Sequence, residues 1–86
     1  MIILDLVLKS EWYDLIKSGD KKHEYRAIKE YWSRRLFAKH YSHIRFRRGN
    51  TRENMLFELT GIEISADKND LNLPEVYKIS LGSKVE

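Results

Sequence analysis

Glu24 and Arg26 stand two residues apart, the spacing at which a β-strand sends side chains to one face, and Lys21 precedes the acid by three. A carboxylate and a guanidinium so placed form a charge-assisted unit. The guanidinium, held by its acid, keeps donors free for a phosphate or for the edge of a base. The segment Gly19-Asp20-Lys21-Lys22-His23-Glu24-Tyr25-Arg26 thus reads G-x-K-x-x-E-x-R. The same residues also suit a structural ion pair that closes a sheet, so binding and architecture are both open readings.

A wider basic field surrounds this segment. Residues 21 to 52 hold 11 of the 16 Lys and Arg residues but only two acids, Glu24 and Glu30, so a chain of net charge +3 carries a segment of +9. Six of the ten aromatic residues and all three histidines, His23, His40 and His43, lie in the same segment. Interleaved cations and planar rings suit phosphates and bases. His43, Arg45 and Arg47 alternate on one strand face, Arg48 and Arg52 continue it around a turn, and no acidic partner is evident nearby. Arg45, Arg47, Arg48 and Arg52 are therefore expected to contact the phosphates of an RNA or nucleotide. The competing readings are a merely solvated face and a surface for an acidic protein partner.

These side chains need elements to hold them. Ile2 to Leu8 puts Leu4, Leu6 and Leu8 on one face and sets Ile3 and Val7 around Asp5 on the other, which reads as a central strand buried on both sides. Ser10 is placed to cap a helix with Glu11 and Asp14 in its first turn, Trp12, Leu15 and Ile16 on its apolar face, and a stop at Gly19. Lys22 to Arg26 alternates as a short strand. Ile28 to about Phe37 has helical spacing, with Glu30 four residues before Arg34. Ser42 to Arg48 and a strand through Met55, Phe57 and Leu59 form a hairpin turning at Gly49-Asn50. The apolar parity then switches to Ile62 and Ile64 at Gly61, which predicts a bulge or barrel bend. Ala66 to Pro74 is a polar loop, and Val76 to Leu81 closes the fold with Tyr77, Ile79 and Leu81 inward. The result is an α+β chain of about five strands and two short helices, its sheet strongly bent.

The G-x-K-x-x-E-x-R stretch, preceded by a strand and a capped helix and followed at the end by Val76-Tyr77-Lys78-Ile79-Ser80-Leu81-Gly82, resembles the signature of the ASCH family. That resemblance implies a small, curved, mostly antiparallel PUA-like β-barrel. It also implies a cleft between barrel and helices, lined by Lys21, Glu24 and Arg26, for RNA or a modified nucleoside. Some small members of the family hydrolyse acetylated cytidine with a Lys, a Thr and a Glu, and others cut RNA. Lys21 matches that lysine, whereas Glu24 occupies the threonine position and the nearest candidate for the acid is Glu75. Without the hydroxyl the covalent route lacks its nucleophile. Lys21 and Glu24 are the remaining catalytic candidates, and an RNA-cleaving reading would pair Glu24 with His23, His40 or His43.

The remaining expectations are exclusions. Eighty-six residues suit one domain, 1–86. The absence of cysteine removes disulfides and thiolate metal sites, and the histidines and the Asp67, Asn69, Asp70 loop lack metal-ligand spacing, so no metal or cofactor is expected. No apolar run approaches a membrane span, and a cytoplasmic location is the default expectation.

Overall fold

Alternation of Leu4, Leu6 and Leu8 with Asp5 and Val7 makes β1 (Ile3–Leu8) a strand with one buried face. In the computed structural model, which describes residues 1–86, it is followed by α1 (Ser10–Ser18), β2 (His23–Ala27), α2 (Glu30–Leu36), β3 (His43–Arg48), β4 (Asn54–Ser65) and β5 (Val76–Val85). The strands form one curled sheet in the order β1-β3-β4-β5-β2, a half-barrel accompanied by the two helices. β1 runs parallel to β3, which sets Asp5 beside Arg45 and Val7 beside Arg47, and every other pairing is antiparallel. Inside lie Leu4, Leu6, Tyr13, Ile16, Ile44 and Phe46, joined by Phe57 and Ile79.

Several expectations need correction. β1 is not a central strand buried on both sides. It is an edge strand with Asp5 and Val7 exposed, because the acid at its middle keeps that face in water. Ser10 is the first helical residue rather than the cap, and Lys9 holds the cap position without a side-chain bond. α1 buries Tyr13 and Ile16, three apart and one above the other, while Leu15 is exposed and Trp12 is only partly covered. Gly19 ends the helix at φ 88°, the left-handed conformation that glycine adopts without steric cost. The ladder between β4 and β5 shifts register between Phe57 and Leu59 and again between Leu59 and Gly61, where the apolar parity changes. Beyond that shift Ile62 packs on the core, whereas Ile64 is exposed and Ser65 is buried. No helix is long and apolar enough to cross a membrane.

β1 and β2 are the two ends of the sheet, and no backbone ladder joins them. Side chains span the gap. Arg26 Nη2 of β2 donates to the Val7 carbonyl at 3.4 Å, and Arg35 of α2 donates to the Asp5 carbonyl. Occupied carbonyls make an edge strand a poorer template for pairing with another chain.

The bulged part of the ladder leaves no room at Gly82. A Cβ there would sit 3.0 Å from Thr60 Cγ2 and 3.1 Å from Glu58 Cβ. Gly82→Ala is expected to destabilise the fold by about 1–3 kcal/mol in urea unfolding, and Thr60→Ser in the same chain to recover part of that loss. An unchanged midpoint would show that this stretch of the sheet is not close-packed.

Candidate functional site

The short alternation of β2 carries Glu24 and Arg26 toward the half-barrel interior, and Gly19 turns the chain so that Lys21 arrives beside them. Glu24 is 5% exposed. It forms an ion pair with Arg26, 2.9 Å from Nη2, and lies 3.7 Å from Lys21 Nζ, so the three motif residues form one charged row. Rings flank both cations: Lys21 Nζ lies 4.8 Å from the centre of the Tyr25 ring and 5.6 Å from that of Trp12, and the Arg26 guanidinium lies 4.8 Å from Trp32. Burial pushes the Glu24 carboxyl above its usual range, and Arg26 and then Lys21 pull against that without reversing it.

A cleft of about 320 Å³ opens beside this row, walled by Trp12, Glu24, Tyr25, Arg26, Leu71 and Val7. That volume is at the lower end of pockets that take small ligands. Arg26 Nε, shut off from solvent, has no hydrogen-bond partner in the protein. Lys21 takes a different place from the one expected of a ligand-contacting residue. Its side chain is 8% exposed, it pairs with Asp70 as well as Glu24, and it stands behind the acid rather than on the cleft wall. Asp70 and Trp32 escape sequence reasoning. Asp70 reads as one polar residue in a polar loop, and nothing local pairs it with a lysine 49 positions away. Trp32, at core-like helical spacing, serves as the plate under Arg26.

The arginine face is reorganised by the fold. Arg45 is held by both oxygens of Asp5, at 2.7 and 3.3 Å, and Arg48 by both oxygens of Asp14, at 3.0 and 3.1 Å. The expectation that these arginines lack acidic partners therefore fails for two of the four. The parallel register supplies Asp5 and α1 supplies Asp14, both remote in sequence. The hydrogen bond from Arg48 pulls the Asp14 carboxyl below its usual range. Arg48 also has the strand parity of Ile44 and Phe46, so it leaves the face that carries Arg45 and Arg47. Arg47 donates only to the Gly49 carbonyl, at 3.3 Å, and exposed Arg52 has no acid.

The histidines do not converge. His23 on β2 and His43 on β3 have β5 and β4 between them in the sheet, and His40 is exposed in the loop before β3. Burial, helped by the charges of Lys78 and Lys21, lowers the proton affinity of His23, which favours the neutral ring. Glu75 is exposed, just ahead of β5. No group of three or more His, Asp or Glu side chains is placed to hold a metal ion.

Compared with models of known families, with curated proteins and with solved structures, the chain matches none.

Glu24 has a measurable signature. Its folded state holds the proton to a higher pH than the unfolded chain does, so the folded state binds more protons across the carboxylate range and Glu24's contribution to stability falls as pH rises through it. Glu24→Gln removes that contribution. The stability difference, wild type minus Glu24→Gln, is expected to become steadily less favourable to wild type in urea unfolding as pH rises from the ordinary carboxylate range through the raised titration of Glu24. A flat difference would show that Arg26 and Lys21 balance burial, and one that runs the other way that they outweigh it.

Proposed function

We propose that the chain is an ASCH-type, PUA-like domain that binds RNA or a nucleotide, taking a base or nucleoside into the cleft between Trp12, Tyr25, Glu24 and Arg26. The observation that carries this reading is Arg26: a guanidinium on the wall of a ligand-sized cleft, fixed by Glu24 and Trp32. A guanidinium so held presents its remaining accessible donors to a ligand acceptor without first having to be ordered. The rings supply apolar faces for a planar ligand and the carboxyl supplies the complementary acceptor. Lys21 acts here as a positioning residue that holds Glu24.

A hydrolytic reading of the same cleft rests on the raised proton affinity of Glu24, a property of general acids and bases. The cleft wall offers no Ser, Thr or Cys, which favours binding over covalent acyl transfer. A protein-interaction role for the basic face is weakened by the internal pairing of Arg45 and Arg48.

Quenching of tryptophan fluorescence tests the proposal. A mixed-sequence single-stranded RNA and the four nucleosides are expected to quench wild type. Arg26→Lys, which keeps the charge but loses the planar fork, should weaken both by about tenfold or more. RNA affinity should fall with added salt by about 0.7 logarithmic units per phosphate engaged, and Arg26→Lys should leave that slope in place. Equal affinity for RNA and polyglutamate, indifferent to Arg26→Lys, would reduce the surface to a generic basic one and sink the proposal.

A further inference from the structure

Val7 walls two hollows. On one side is the cleft described above. On the other is a groove of about 470 Å³ over the outer face of β1 and β3, lined by Asp5, Arg45 and Arg47, by Asn54 at the start of β4, and by Arg35 from α2. Three guanidiniums face one carboxylate there. Arg45 is consumed by Asp5 through two hydrogen bonds. Arg35 and Arg47 are uncompensated: neither pairs with an acid, and their only acceptors are the carbonyls of Asp5 and Gly49. Two guanidiniums with unused donors on one concave surface suit an oxyanion, which planar N–H pairs bind with two parallel bonds.

We propose that this groove is a phosphate subsite continuous with the cleft across Val7, so that the ligand is a phosphorylated nucleotide unit with its base against Tyr25 and Arg26 and its phosphate against Arg35 and Arg47. The phosphate half stands on the groove alone, and the joining of the halves rests on the nucleoside-binding reading of the cleft. The exposed side chain of Val7 is the ridge between the two compartments. Arg35 and Asn54 enter the site only through the fold, since neither belongs to the motif nor to the alternating arginines of β3.

Inorganic pyrophosphate tests the groove by itself. In calorimetric titration at low salt it is expected to bind wild type, and Arg35→Gln and Arg47→Gln should each weaken it by about tenfold or more. Lys84→Gln, which removes one exposed charge on β5, should leave it unchanged. Because Arg35 also holds the Asp5 carbonyl, the Arg47 variant and the arginine Nε–Hε resonances of wild type keep the test sound if Arg35→Gln does not fold: the Arg35 and Arg47 resonances should shift with pyrophosphate. The four nucleoside 5′-monophosphates then test the joining. They should bind more tightly than pyrophosphate and than their nucleosides, and Tyr25→Leu should abolish the first advantage without altering pyrophosphate binding. Failure of pyrophosphate to bind, or binding indifferent to Arg47→Gln with those resonances unmoved, overturns the phosphate subsite even if nucleosides occupy the cleft. Pyrophosphate binding as tight as that of every monophosphate overturns the joined site and leaves an anion groove, while the cleft reading then stands or falls on whether the nucleosides bind and respond to Arg26→Lys. A short RNA binding more tightly than any monophosphate, with a steeper salt dependence, assigns the phosphate to a strand; equal affinity assigns it to a free nucleotide.

Discussion

A carboxylate on the last strand of the sheet, buried between two cations, is the constraint on which the rest of the structure depends. Glu24 lies on β2, which pairs only with β5, and across the gap lies β1, which pairs only with β3. Arg26 bridges that gap to the Val7 carbonyl, and Glu24 fixes Arg26 from one side while Trp32 backs it from the other. Burying such a row is expensive, and its charges offset that cost only while all of them remain together. Removing one partner from a buried pair costs about 3–5 kcal/mol, most of it from the charge left behind. The row also reaches outward from the strand: Lys21 ties Glu24 to Asp70 in the loop before β5, which fixes one side of the cleft.

The second constraint is the uneven distribution of charge along the chain. The +9 segment folds against a remainder that is acidic on balance, and three ion pairs cross between them: Asp5 with Arg45, Asp14 with Arg48 and Asp70 with Lys21. The first two are at the surface, where such pairs contribute little to stability. Their larger effect is on the field outside the protein, because paired arginines offer less to an incoming anion. The basic charge is therefore unevenly exposed: Asp5 and Asp14 compensate Arg45 and Arg48, whereas no acid pairs with Arg35 or Arg47.

Local patterns in the sequence carried most of the strand and helix assignments, since alternation in β3 and β5 and the glycine that ends α1 act within a few residues. The parity switch at Gly61 likewise marked the shift in the β4–β5 ladder. What local patterns miss is long-range. Hydrophobicity alone ranks Leu15 above Tyr13 as a core residue, yet the helix face that meets the sheet contains Tyr13 and leaves Leu15 exposed. Val7 reads as buried in a run of aliphatic residues, although an edge position gives it one open side. The motif spacing of Glu24 and Arg26 put those two together because a strand repeats every two residues. Asp70, Trp32 and Arg35 join them only through tertiary contacts that no spacing records.

These long-range contacts couple the architecture to the walls of both hollows. The same guanidinium that spans the two sheet edges walls the cleft, and Arg35, which holds the other edge carbonyl, walls the groove. Each arginine spends some donors on β1 and leaves its Nε unpaired. Both guanidiniums are thus held in place by bonds the fold already requires, and a ligand that met their accessible donors would not have to order a free side chain, which otherwise costs roughly 0.5–1.5 kcal/mol for each one immobilised. The consequence runs in both directions. Substituting Arg26 or Arg35 alters the seam as well as the site, whereas Tyr25, Arg47 and Asn54 bear on the site without spanning the gap between β1 and β2. The shape and charge of the two hollows can therefore change most freely at these three residues, on which the half-barrel does not depend.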